Sequence, residues 1–203
     1  MIHKEIMKIS SSFEQELRQY FKYHKIDFND NTASFKKLDF GFGDIRAKTY
    51  FTFDAKEKRQ HYAMRNWPTD IPEEHLFIMD DLGARKILAY APNSGLVIRD
   101  NLRNIYFFFS VADLYLMPKQ RVNRAIRKNV RGLKGKWLTD LRNGQKFGTL
   151  QEVFESINAY LNARKNIFLN ILECYGDYVG EAIPSGGMTR RQEHWDIDVA
   201  ETR

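Results

Sequence analysis

Hydrophobic positions along the chain change period several times, and each change marks an element. Phe13, Leu17, Tyr20, Phe21 and His24 recur at helical spacing behind Ser10, Ser11 and Ser12. Serine hydroxyls satisfy the free amides at a helix start, so the pattern predicts an amphipathic helix over 12–25. From Lys37 the period becomes two. Ile45, Ala47, Thr49, Phe51 and Phe53 alternate with Arg46, Lys48, Tyr50, Thr52 and Asp54, the signature of one or two strands. Beyond a loop bracketed by Pro68 and Pro72, short β-prone runs at 75–79, 86–90, 96–99 and 105–110 are separated by turn residues. They predict adjacent strands of one sheet.

Pro118 then precedes a segment, 119–130, in which Val122, Ile126 and Val130 are spaced as on one side of a helix, and Gly132 and Gly135 end it. Thr149 and Glu152 match a capping box that opens the longest apolar stripe of the chain. That stripe comprises Leu150, Val153, Phe154, Ile157, Leu161, Phe168, Ile171 and Leu172, and reaches about Tyr175. A polar tail begins at Pro184. The order implies one α/β domain over 1–183, with a mixed central β-sheet flanked by helices and a long C-terminal amphipathic helix, followed by the tail at 184–203.

Composition narrows the function. The single cysteine of the 203 residues, Cys174, excludes an internal disulfide and a multi-cysteine metal knuckle, and its place in the apolar stripe suits core packing. No apolar run approaches the ~20 residues that span a bilayer, and no leader-like segment opens the chain. The expectation is a soluble, cytoplasmic protein with no membrane partner. His3, His24, His61, His75 and His194 lack paired metal-ligand spacing. Gly41-Phe42-Gly43 lacks the third glycine of a dinucleotide loop, and no phosphate-loop motif occurs, so no nucleotide cofactor is expected.

The chemistry-bearing residues lie between Glu14 and Lys56. On a strand, alternation places Asp54 and Lys56 on one face with Ala55 on the other. Two converging carboxylates can hold Mg²⁺ or Mn²⁺, and a neighbouring lysine can position an attacking water or offset charge on a scissile phosphate. One geometric condition applies. As one straight strand, residues 44–54 would separate Asp44 from Asp54 by about 33 Å. Asp44 therefore needs a chain reversal near 46–49, where no glycine or proline signals one. Asp39 is the alternative, because Gly41-Phe42-Gly43-Asp44 is a better turn sequence and would send the chain back along 45–54. Spacing leaves the first aspartate open between the two.

These residues resemble the PD-(D/E)xK metal-dependent nucleases, and locally the archaeal-type Holliday-junction resolvases. Ser12-Phe13-Glu14-Gln15-Glu16-Leu17 is similar to their glutamate-bearing first helix, and Gly43-Asp44-Ile45-Arg46-Ala47 to their Pro-Asp-Ile strand start, with Gly for Pro. Phe53-Asp54-Ala55-Lys56 stands where they carry an acidic-x-lysine strand end. The resemblance covers about the first sixty residues. It implies a restriction-endonuclease-like fold, with Glu14, Asp44, Asp54 and Lys56 as catalytic residues and the three carboxylates as ligands of Mg²⁺ or Mn²⁺. The implied activity is DNA cleavage, either at branched structures or at a short duplex site, and analogy adds a homodimer.

Charge supports a polyanionic partner. Lys and Arg exceed Asp and Glu by 32 to 26, a net charge of +6. Residues 119–136 hold Lys119, Arg121, Arg124, Arg127, Lys128, Arg131, Lys134 and Lys136 with no acid, and on a helix Arg121, Arg124, Arg127 or Lys128, and Arg131 form one cationic row for DNA phosphates. A non-catalytic DNA-binding or scaffold protein is the competing reading.

Overall fold

The computed structural model describes residues 2–43, 49–127, 130–169 and 178–180. The first helix, α1, runs Ile2–Tyr23, starting well before the expected residue 12. Its Phe13, Leu17 and Phe21 are fully buried, one stripe at four-residue spacing that docks on a sheet. Strands β1 (Phe28–Asp30), β2 (Phe40–Phe42) and β3 (Phe51–Lys58) follow as an antiparallel meander. After β2 the chain turns at Gly43, whose φ of 95° favours glycine and whose added Cβ would lie 2.5 Å from the Thr49 carbonyl.

Next come β4 (Leu76–Asp80), α2 (Asp81–Ala89), β5 (Ser94–Asp100), β6 (Ile105–Ser110) and α3 (Val111–Leu116). The described chain continues through β7 (Gln120–Arg127), β8 (Val130–Asp140), β9 (Gln145–Phe147) and α4 (Leu150–Leu169). Six strands form a mixed sheet in the order β1-β2-β3-β5-β6-β9, with β5 parallel to β3 and the other pairings antiparallel. A separate antiparallel sheet has the order β4-β8-β7. The expected mixed central sheet flanked by helices is present.

Strand alternation divides the core. Phe51, Phe53, Val97, Tyr106 and Phe108 join the α1 and α4 side chains Phe21, Phe154, Ile157 and Tyr160. Leu96, Ile98, Phe107 and Phe109 turn the other way, toward Ile87 of α2, Leu114 of α3 and Trp137 of β8. The even-numbered residues of β3 consequently face α2, which is where the candidate chemistry lies. Gly95 sits where β5 and β6 approach closely: a Cβ there would lie 2.6 Å from the Phe109 carbonyl and 2.8 Å from the Phe108 ring. Gly95→Ala is expected to cost about 1–3 kcal/mol of stability, read as a lower midpoint in chemical unfolding.

A polar pin fixes the end of β3. Lys58, buried at 1% exposure, donates to the Glu73 carbonyl at 2.5 Å and lies 3.3 Å from its carboxylate. Burial alone would raise the Glu73 carboxyl, but His61, the Tyr62 amide and Lys58 outweigh it and bring it down to about 2. A depressed carboxylate contributes stability above its ordinary value near 4.5, and that contribution is lost as pH falls from there toward 2. Glu73→Gln should therefore flatten the acid limb of a stability–pH curve between about 4.5 and 2, and leave its alkaline limb unchanged.

Several expectations are corrected. Within the expected 119–130 helix, residues 120–127 form the strand β7. Val122 and Ile126 are four apart in sequence, an even spacing that suits a strand as well as a helix, so the apolar pattern fitted both. Gly135, read as a breaker, lies within β8 opposite Asn123. The 86–90 run lies in the helix α2 and its C-cap: Ala84 and Ile87 bury one side at three-residue spacing. The 75–79 run is a strand, but it joins the second sheet and not the central one. The capping box before α4 is present, with Thr149 N–H donating to Glu152 at 2.9 Å and the Glu152 amide donating to Thr149 Oγ1 at 3.3 Å. Residues 170–177, including Cys174, and the tail 184–203 lie outside the described residues. No helix among the described residues is long and apolar enough to cross a membrane.

Candidate active site

The β2–β3 register decides which aspartate meets Asp54. Phe40 pairs with Phe53, so position 39, one step before β2, arrives beside positions 54 and 55. Asp39 Oδ2 accepts from the Ala55 amide at 3.0 Å and from Lys56 Nζ at 2.9 Å. Lys56 Nζ also lies 3.1 Å from Asp54 Oδ2. Asp39, Asp54 and Lys56 thus converge through the β2–β3 register; Gly41 and Phe42, expected in the turn, belong to β2, and the chain reverses between Phe42 and Phe51. Asp44 lies outside the described residues.

Asp54 is nearly inaccessible, with a side chain 2% exposed. Its Oδ1 lies 3.1 Å from Lys86 Nζ, yet it accepts no aligned hydrogen bond. Lys86 comes from α2, and its ammonium also donates to the Lys37 carbonyl at 2.7 Å. Gly83 of α2 lies against Asp54: a Cβ there would make an ordinary contact, 3.8 Å from Asp54 Oδ2. Burial lowers the Lys56 pKa, but the charges of Asp54 and Asp39 outweigh it and leave the ammonium above its ordinary value. Lys56 is therefore cationic at neutral pH.

Glu14 borders this cluster from α1. Burial and the Asp39 charge push its carboxyl up, against the opposing pull of Arg18 and Lys56. It lies 3.5 Å from Arg18, which is itself tied to Asp30 at 2.6 Å and Thr32 at 2.8 Å. Glu16 is turned to the other flank, where it pairs with Arg99 at 2.7 Å and accepts from the Tyr106 hydroxyl. The two glutamates of α1 thus have different partners, and Glu14 is the one on which the Asp39 charge acts. Lys86 escaped the sequence reading because its segment was taken for a strand, although the Ala84–Ile87 spacing carried the helical signal.

Oxygen-only donors beside a buried carboxylate suit a hard cation such as Mg²⁺. Among the described residues no three Asp, Glu, His or Cys side chains form a ready-made metal-binding group. Asp39 and Asp54 are the two that would hold an ion, with waters completing its shell, as Mg²⁺ commonly accepts. Lys56 and Lys86 presently occupy the faces of Asp54, so an ion would have to displace or push back at least one ammonium.

The basic segment is arranged otherwise than expected. Strand alternation divides Arg121 and Arg124 between opposite faces of β7. Arg121 bonds Asp81 at 3.1 Å, an acid shared with Arg85 and with the Trp137 indole N–H. Arg124 donates to the Asn66 carbonyl and lies 4.5 Å over the Trp67 ring, while Lys119 donates to the Tyr115 carbonyl. These three cations already have partners within the chain, and a single helical row does not exist. Lys128 and the side chains of Arg127 and Arg131 lie outside the described residues. Comparison with protein-family models, curated proteins and solved structures gives no match to this chain.

Proposed function

We propose that the chain is a Mg²⁺- or Mn²⁺-dependent DNA endonuclease of the PD-(D/E)xK kind. The observation that carries this reading is the meeting of Asp39, Asp54 and Lys56 within 3.1 Å contacts at one sheet position, bordered by Glu14 of the first helix. The resemblance asks for a glutamate on the first helix, an aspartate at a strand start and an acidic-x-lysine strand. Glu14, Asp39 and Asp54-Ala55-Lys56 supply them, with Asp39 in the place first assigned to Asp44.

A divalent ion bound here would polarise the scissile phosphate and lower the pKa of an attacking water. Asp39 and Asp54 would hold the ion, and Glu14 would orient its water shell. Lys56, protonated at neutral pH, would orient the nucleophile and offset charge developing on the phosphate, and it is a poor candidate for a base. Lys86, 3.1 Å from Asp54 Oδ1, would hold the carboxylate in place when no ion is present. The β7–β8 hairpin, with Arg127, Lys128 and Arg131, is the proposed backbone contact, and cutting both strands of a duplex with one site per chain calls for a homodimer.

The test is cleavage of plasmid, linear duplex and four-way-junction DNA with Mg²⁺ or Mn²⁺. Cutting of the junction alone selects the branched-DNA reading, and fixed fragments from linear duplex select a sequence-specific one. A second reading has its own observation: Asp54 is compensated by two lysines, as a purely structural ion cluster would be. On that reading the protein binds DNA with steep salt dependence and releases no new ends with any metal.

A further inference from the structure

Resting on the nuclease reading and naming its substrate class, we infer that Phe35 is a stacking platform for an unpaired nucleobase beside the scissile phosphate. The side chain is 99% exposed, although it belongs to a loop that is firmly built. Arg18 holds Thr32 at 2.8 Å, the Asn31 amide donates to the Asp39 carbonyl at 2.8 Å, and the Ser34 amide donates to the Asn31 carbonyl at 2.7 Å. Leu38, next to Asp39, is buried at 1%. The ring therefore stands at the apex of an ordered loop and not on a fraying end.

The loop is wired to the candidate chemistry at both levels. It runs directly into Asp39, and the Lys86 ammonium that faces Asp54 also holds the Lys37 carbonyl. Lys36 and Lys37 follow the ring directly, both exposed, and among the described residues neither side chain has an ion-pair partner. Residues 31–38 contain no acid. A single exposed aromatic is ordinary on a protein surface. One displayed beside two exposed lysines, four residues before a proposed metal-binding carboxylate, matches what single-stranded nucleic acid recognises: a ring for the base and ammonium groups for the neighbouring phosphates. Duplex DNA keeps its base faces stacked and offers this ring nothing. The preferred substrate is thus DNA with unpaired bases near the cut, such as a single-stranded stretch or the open arm of a branched molecule.

The test measures binding of a fluorescent 20-nucleotide single strand and of the same sequence as a blunt duplex, with Ca²⁺ replacing Mg²⁺ to suppress cutting. Phe35→Ala is expected to weaken single-strand binding about tenfold or more and duplex binding less than twofold. Phe35→Trp should keep single-strand affinity, and its indole emission should be quenched on binding. Equal affinity of wild type and Phe35→Ala for the single strand, or equal losses on both ligands, overturns the inference, as does a wild type that binds neither. Cleavage in Mg²⁺ is scored separately. Phe35-dependent binding without cutting would defeat the nuclease reading and leave the platform. Cutting that Phe35→Ala does not alter, with unaltered binding, would defeat the platform and leave the nuclease.

Discussion

Asp54→Asn is expected to lower metal-dependent DNA cleavage by at least about a thousandfold while leaving the protein folded. The substitution keeps shape and volume but removes the charge that holds a divalent ion, and removal of one electrostatic contact to a developing charge alone costs about 10²–10³ in rate. The buried position of Asp54 sharpens the expectation. Its carboxylate faces Lys56 Nζ at 3.1 Å and Lys86 Nζ at 3.1 Å, so neutralising it leaves two ammonium groups without their shared counter-charge. Far-ultraviolet circular dichroism and the unfolding midpoint, measured beside the rate, separate a chemical loss from an unfolded variant. Asp39→Asn should fall in the same range, because Asp39 accepts from both Lys56 and the Ala55 amide. Asp44→Asn is the companion variant that decides between the two aspartates, with the loss expected at Asp39.

The largest effect on stability is expected at Phe21. Its ring is fully buried, stacks on Phe28 at 4.7 Å and meets Phe154 edge-on at 5.1 Å, with Phe40 and Phe42 within about 6 Å. It joins α1, the β1–β2 meander and α4 in one contact. Phe21→Ala removes the ring and leaves a cavity that stiff aromatic neighbours fill poorly, at a cost of about 3–5 kcal/mol. For a chain of this size that corresponds to a fall in melting temperature of about 10 °C. Phe21→Leu should recover much of the loss, since it restores most of the apolar volume. A melting temperature within 2 °C of wild type for the alanine variant would contradict this packing.

The legible part of the chain was its strongly periodic part. Phe13-Leu17-Phe21 and Leu150-Val153-Phe154-Ile157 each read as one buried helical stripe, and Ile105–Ser110 as a strand buried on both faces. The four-residue spacing of Val122 and Ile126 was ambiguous because four is also an even number. There the partner strand β8 decided the outcome, and no local signal carries a partner. The cationic row disappeared with the helix, since alternation sends Arg121 and Arg124 to opposite faces.

The site was half legible for a related reason. Asp54 and Lys56 follow from alternation alone, whereas the identity of the first aspartate depends on where the chain reverses. Sequence offered Gly41–Asp44 and 46–49, and only the Phe40–Phe53 register places Asp39 beside Asp54. Lys86 lies thirty-two positions beyond Asp54 on another element, so only tertiary packing brings it there. Phe35 carried no signal, because a lone aromatic in a polar stretch reads as core or surface with equal ease.

The measurement that tests the central claim most directly is the single-turnover cleavage rate of the wild type across a Mg²⁺ titration, with an EDTA blank and with Lys56→Ala beside it on the same DNA. The account predicts a rate that is nil in EDTA, rises to saturation with Mg²⁺, and drops at least about a hundredfold in Lys56→Ala at saturating metal. Cleavage that persists in EDTA, or that Lys56→Ala leaves unchanged, would contradict it. So would intact DNA at every metal concentration while the protein remains bound to it.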